Sequence, residues 1–169
     1  MSLCGCIGAV MIRWVYKSRF SKTAAIRDVE DILRVAVRRN RDLGVTGVML
    51  FDGHAFLQVV EGHARTVNAL SKRIRMDKRH WGVQTLHWDE VETRVFPLWT
   101  MKLVKVNAAA YTLPAWISDS ALIVDDFVQD LPANLRLSIL AFEHGQSTLK
   151  PDAGDDKKPI SVKSHREAS

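Results

Sequence analysis

The stretch Val45-Thr46-Gly47-Val48-Met49-Leu50-Phe51-Asp52-Gly53-His54-Ala55-Phe56-Leu57-Gln58-Val59-Val60-Glu61-Gly62 decides the fold. Val45 to Phe51 suits a buried strand. Asp52-Gly53 is a two-residue hairpin signal, and Ala55 to Glu61 returns as a further strand that ends at Gly62. Helix-period patterns flank this hairpin. Upstream, Val29, Ile32, Leu33, Ala36 and Val37 recur at helical spacing, with Asp28 as a cap and Gly44 as a C-terminal stop. Downstream, Val67, Leu70 and Ile74 mark a second amphipathic helix that ends near Met76. Further out, Val10 to Tyr16 reads as a first strand, followed by a polar stretch from Lys17 to Arg27. Val83 to Val91 reads as a fourth strand and, after Pro97, Trp99 to Val106 as a fifth. The order βαββαββ predicts an α+β protein. The expected architecture is a ferredoxin-like sandwich, with two helices on one face of a five-stranded mixed sheet and strands one and three at its centre.

C-terminal helices are expected beyond the sheet. One is capped by Ser118 or Asp119 and runs towards Gln129. Another has Pro132 just inside its start and ends at Glu143-His144-Gly145. Leu135, Ile139 and Phe142 form one apolar stripe on it, with Leu137 and Leu140 beside it. The chain thus divides into a domain over 1–106, a helical extension over 107–144, and a tail over 145–169. The tail is rich in Lys, Asp, Ser and Pro and is expected to be disordered.

Composition bounds the function classes. The 169 residues are 47% apolar and 25% charged, enough for one domain with a core and unlike a wholly disordered chain. The excess of 24 basic over 19 acidic residues gives a net charge of only +5, spread along the chain, so direct nucleic-acid binding is not expected. No apolar run reaches the roughly 18 residues of a membrane span, and the N-terminus lacks the basic start of a signal peptide. The two cysteines, Cys4 and Cys6, are too close for an ordinary disulfide and too few for a metal site, which fits a cytoplasmic protein. The six histidines are dispersed, so no metal centre is expected. G-x-G-x-x-G, the P-loop, G-x-S-x-G and H-E-x-x-H are all absent.

The informative positions are polar side chains where the pattern calls for core. Asn40 lies eleven residues after Val29, three helical turns plus about 20°, and so shares the face that covers the sheet. Gln58 sits mid-strand on the face of Phe56 and Val60. Tyr16 ends the first strand and approaches Gln58 if strands one and three are neighbours. Each has an ordinary alternative: an amide near a helix end, a carboxamide on an open sheet face, an aromatic in the core. Together they form a polar cluster in an apolar shell, which suits a planar ligand with donors and acceptors. Trp99 and Met101 share a face of the fifth strand and, on the residues alone, read first as core. Asp77-Lys78-Arg79-His80 at the negative end of the second helix is either a solvated basic turn or a charged rim.

From about Met11 to Val106 the chain resembles a BLUF domain, a sensor of blue light using FAD. The matching elements are Tyr16-x-Ser18, Asn40, Gly44-Val45-Thr46-Gly47, Phe56-Leu57-Gln58 with Glu61-Gly62, Asp77-x-Arg79-His80 and Phe96-x-x-Trp99-x-Met101. Their order and spacing carry the resemblance. It implies a flavin ring between the two helices, with Tyr16 as electron and proton donor and Gln58 as relay to flavin N5/O4. Asn40 would bond the C4 carbonyl and N3 region, and Arg79 and His80 would contact the C2 side and the ring. Ile32, Phe56 and Ile74 would be apolar walls, and Trp99 and Met101 a switch reporting the Gln58 rearrangement. The implied cofactor is FAD, with FMN or riboflavin as substitutes. The implied role is a short, non-enzymatic photoreceptor, expected to be a homo-oligomer, that signals to a downstream protein through strand five or the C-terminal helices. Two other classes stay open on this sequence: a small flavin-dependent redox enzyme, and a ligand-free regulatory or phosphate-binding module of acylphosphatase-like shape.

Overall fold

A computed structural model describes residues 10–21, 26–106, 112–113 and 121–145. The elements are β1 (Met11–Phe20), α1 (Ile26–Asp42), β2 (Thr46–Phe51), β3 (Ala55–His63), α2 (Ala64–Met76), β4 (His80–Val91) and β5 (Lys102–Lys105). Two 3₁₀ turns follow, Val124–Asp126 and Val128–Asp130, and then α3 (Ala133–Glu143). The sheet order is β4-β1-β3-β2-β5. All pairings are antiparallel except β2 with β5. This is the expected α+β ferredoxin-like sheet with β1 beside β3. No described helix is long and apolar enough to cross a membrane.

Strand alternation sorts the core into two layers. Trp14, Tyr16, Met49, Phe51, Phe56 and Val60 point to one face, where Val29, Ile32 and Leu33 of α1 and Val67 of α2 cover them. Val15, Val48, Leu50, Leu57 and Val59 point to the other face. There they meet Val124 and Val128 of the 3₁₀ turns and Leu135, Ile139 and Phe142 of α3. Leu137 lies off this stripe and is exposed. Gly47 leaves no room for a side chain between β2 and β3: at φ 154°, a Cβ there would sit 1.9 Å from the Val59 carbonyl oxygen, so only glycine fits.

Several boundaries differ from expectation for local reasons. β1 continues past Tyr16 to Phe20. Lys17 and Ser18 pair with Leu57 and Phe56, and the Arg19 guanidinium lies 4.9 Å from the centre of the Trp81 ring, so the long charged stems cover apolar surface. α1 begins at Ile26, which puts Asp28 in the first turn, not at the cap. The hairpin leaves three residues outside the strands, not two. The Asp52 carboxylate accepts the N–H groups of His54 and Ala55, at 2.8 and 2.7 Å, and shapes the turn. β4 starts at His80 and pairs it with Phe20 of the longer β1.

The helix expected to reach Gln129 is replaced by an edge contact and the 3₁₀ turns. Leu122 bridges to Val104 beside β5, giving its N–H to Leu103 and accepting from Lys105. Pro132 occupies the N-cap of α3, just outside the helix. Cys4, Cys6, the Ser118 or Asp119 cap and the tail from residue 146 lie outside the described residues.

Candidate functional site

The site forms where α1 and α2 diverge over the sheet. Register places Tyr16 of β1 directly beside Gln58 of β3, and Gln58 beside Met49 of β2. Above this row, Ile32, Ala36 and Asn40 recur every four residues along α1, and Leu70 and Ile74 along α2, so each helix presents one stripe. Between the stripes lies a cleft of about 310 Å³, within the roughly 300–1,000 Å³ typical of small-molecule sites. Its walls include Tyr16, Ile32, Asn40, Gln58, Ile74 and Met101, and Arg39, Arg73, Asp77, Arg79 and His80 also border it.

One atom in this wall is unsatisfied. Among the described residues, Tyr16 Oη is buried with no hydrogen-bond partner. A buried hydroxyl in that condition costs about 1–3 kcal/mol. Burial pushes the phenol well above its ordinary value of 10.0, Asp77 adds to the rise and Arg75 opposes it, so Tyr16 is a neutral donor. Asn40 is 2% exposed and donates to the Thr100 carbonyl at 2.6 Å. Its second N–H and its oxygen are further hydrogen-bonding groups.

At the far end of the cleft, His80 meets Ser18 Oγ through Nδ1 at 3.0 Å. Burial lowers His80 from 6.5 to about 4, with Asp77 opposing the fall and Arg79 assisting it, so the ring is neutral near pH 7. Arg79 is clamped by Asp77, Nε to Oδ1 at 3.0 Å and Nη2 to Oδ2 at 2.6 Å. That pairing holds the Asp77 carboxyl below the usual carboxylate range. Among the described residues, no group of His, Cys, Asp or Glu could hold a metal ion.

Two expected placements change. Phe56 faces the same layer but does not line the cleft; it packs on Phe51 at 4.8 Å and on His80 at 5.0 Å. Trp99 and Met101 are not in the fifth strand and do not share a face. The carbonyls of Trp99 and Thr100 accept from Gly47 N–H and from Asn40, so this stretch joins the ladder only at Lys102. Met101 borders the cleft. Trp99 turns to the α3 side, stacked on Phe96 at 5.4 Å and edge-on to Phe127.

Comparison with known proteins places this arrangement. The family model described as "Sensors of blue-light using FAD" (BLUF) matches residues 11–102, more than half of the chain. The chain belongs to the BLUF family. The photoactivated adenylate cyclase subunit beta of Euglena longa is 34% identical over 87 residues, 51% of this chain and 10% of that protein. The blue light- and temperature-regulated antirepressor BluF of Escherichia coli (strain K12) is 32% identical over 82 residues, 48% of this chain and 20% of that protein. The chain therefore spans a small part of these curated relatives. The dark-state structure of BlrB, a BLUF protein, superposes with a TM-score of 0.59 at 25% identity, covering 82% of this chain and 98% of that one.

A flavin, the cofactor class of this family, fits the residues present. The cleft is apolar along both helices, and its floor carries a phenol with an unmet donor and a carboxamide. These are the groups a flat ring with carbonyls and ring nitrogens would engage. Sequence reasoning noted Arg39 before Asn40 without giving it a role, and passed over Arg73 at the mouth. Their signal was the same helical spacing, Arg39 beside Asn40 and Arg73 beside Ile74. Glu61 was noted only as part of a motif. It is fully buried, and its carboxylate accepts from Arg13 Nε at 2.7 Å and from the Phe96 N–H at 2.9 Å. The signal was a carboxylate inside an apolar strand, which requires a partner.

Proposed function

We propose that this chain is a blue-light photoreceptor in which Tyr16 and Gln58 convert absorbed light into a changed hydrogen-bond pattern. The observation that carries the reading is the buried, unpartnered Tyr16 hydroxyl beside Gln58 on adjacent central strands. An oxidised flavin bound in the cleft supplies the blue absorption and, once excited, a strong pull on an electron. Tyr16 answers with an electron and then its hydroxyl proton, which Gln58 passes on. A carboxamide has a donor end and an acceptor end, so rotation or tautomerisation of Gln58 alters what it offers the ring. The electron and proton then return to Tyr16, and Gln58 is left in the new arrangement. No substrate is consumed.

Ile32 and Ile74 hold the ring from the two helices, and His80 stays neutral against Ser18. Asn40 grips both the cleft and the Thr100 carbonyl. That carbonyl lies between Trp99, on the α3 side, and Met101, in the cleft. A shift at Asn40 or Met101 therefore reaches Trp99, Phe96 and Phe127, where a downstream signalling protein would read it. FAD is the proposed flavin, because Arg39 and Arg73 give the mouth two exposed cations suited to phosphates.

The test is an absorption spectrum of purified protein, dark and then blue-lit. A yellow protein with a small red shift that reverses in the dark is expected. A colourless protein after flavin reconstitution, or a lit spectrum identical to the dark one, defeats the reading.

A further inference from the structure

The hydrogen-bond switch makes no use of the ring beside Tyr16. Trp14 lies two residues earlier on the same face of β1, stacked on Tyr16 with centroids 4.0 Å apart at 20°. Across the β1–β4 ladder the direct partner of Trp14 is Trp88, with centroids 6.0 Å apart. Tyr16 and Trp14 are wholly buried, whereas Trp88 is 42% exposed. Three oxidisable rings thus run without a gap from the cleft wall to solvent.

The surroundings of Trp14 give the row a direction. Its indole N–H donates to Thr85 Oγ1 at 3.0 Å, an oxygen that also accepts from Arg75 at 2.8 Å. The Arg75 guanidinium lies 5.9 Å from the centre of the Trp14 ring. A positive charge on Trp14 is therefore disfavoured, and its N–H proton faces an oxygen already filled by a cation. Trp14 is a place to pass through. Trp88, half in water and followed by Asp89 and Glu90, is a place to stop. Trp99 cannot join this path, because it lies on the opposite face of the sheet.

We propose that Tyr16, Trp14 and Trp88 form an electron relay, a redox branch beside the photocycle in which a small thiol at the surface replaces the electron that Tyr16 gives up. It rests on the reading of Tyr16 as the light-driven donor. Before Tyr16 loses its proton, an electron from Trp14 restores it, since an indole is oxidised more easily than a protonated phenol. Trp88 then restores Trp14, is left one electron short, and releases its N–H proton to water. A thiol returns one electron and one proton to Trp88. Over two turns, two thiols lose two electrons and two protons and join as a disulfide, and the acceptor in the cleft gains the same number of each.

The test uses FAD-loaded protein under blue light, with two readouts on the chain itself. One is electron paramagnetic resonance, with ring-deuterated tryptophan to assign the signal. The other is a peptide mass map after illumination in air without thiol, against a dark control. A light-induced tryptophan radical and oxygen adducts at Trp88 are expected, and added dithiothreitol should quench both. Trp88→Phe, a surface change that does not threaten folding, should abolish the radical signal and leave the red shift intact. Trp14→Leu should lower Trp88 oxidation to the dark level. A normal red shift with no tryptophan radical overturns the relay and leaves the photoreceptor reading standing. A radical unchanged in Trp88→Phe also overturns it. Loss of both red shift and radical from the unaltered protein removes both proposals.

Discussion

The two faces of the central sheet bury polar groups in opposite ways. On the α3 side, Glu61 and Arg13 are buried as a pair, and the Glu61 carboxylate also takes the N–H groups of Val95 and Phe96. On the α1–α2 side, alternate residues of the same two strands place Tyr16 and Gln58 under a cleft, and the Tyr16 hydroxyl has no partner. A buried charge persists only when fully paired, so the first arrangement is architecture. It pins residues 95–96 and so fixes where the chain re-enters the sheet. An unmet donor in a roomy cleft is a cost the fold alone does not repay, and it supports the proposal that the second arrangement is a binding site.

The largest effect should come from Tyr16 and Gln58, because in the proposed mechanism they carry signal and little stability. Tyr16→Phe removes the unpartnered oxygen and keeps the ring stack, so the reversible red shift should vanish while thermal stability of the flavin-free protein holds or rises. Gln58→Leu should also abolish the shift. Difference spectra and melting curves check both, and a surviving shift in either variant would remove that residue from the mechanism. The other face should behave in reverse. Glu61→Ala strands Arg13 and should lower stability by roughly 3–5 kcal/mol, read from urea unfolding. A loss well under about 1 kcal/mol, the scale of a surface ion pair, would show that the pair is not architecture.

The contrast between faces was only partly legible in the sequence. Alternation along β1 and β3 and helical spacing in α1 fix which residues share a layer, and so place Tyr16, Gln58 and Asn40 together. The three residues before β5 were misread because Trp99, Thr100 and Met101 have strand-like character. What keeps them out of the ladder is tertiary: Gly47 of β2 reaches the Trp99 carbonyl, but the next carbonyl, Thr100, is taken by the Asn40 side chain of α1. β1 was cut short for the opposite reason. Lys17 and Arg19 look like loop residues, yet their stems lie on apolar surface. In the segment before Gln129, Leu122 gives its backbone to the β5 edge, a contact with no local signature.

A smaller effect belongs to His80, at the end of the cleft. Burial holds its value near 4 against an ordinary 6.5. Above pH 6.5 the imidazole is neutral whether the chain is folded or not, and its contribution is complete. As the pH falls below 6.5 the unfolded chain takes up the proton first, and the folded chain follows only near 4. Stability is lost across that window, by about 3 kcal/mol at most. Urea midpoints at pH 7 and pH 4.5 should differ less in His80→Gln than in the parent protein. Equal pH slopes would show that His80 charges freely in the folded state and that its end of the cleft is open to water.

The smallest effect is expected at the mouth, where the cleft face meets solvent. Arg39 and Arg73 are exposed, so each pairing with a phosphate there should be worth roughly 0.2–1 kcal/mol and should fade with salt. Arg39→Glu should therefore weaken FAD binding by up to about fivefold. Riboflavin, which shares the ring but lacks the phosphates, should bind as before. Fluorescence titration of both flavins at low and high salt separates ring from tail. Equal weakening for the two would move Arg39 from the tail to the ring, and no change for either would free the mouth of any part in choosing FAD. The selective loss would mean that the buried floor reads the ring while the exposed rim reads only charge.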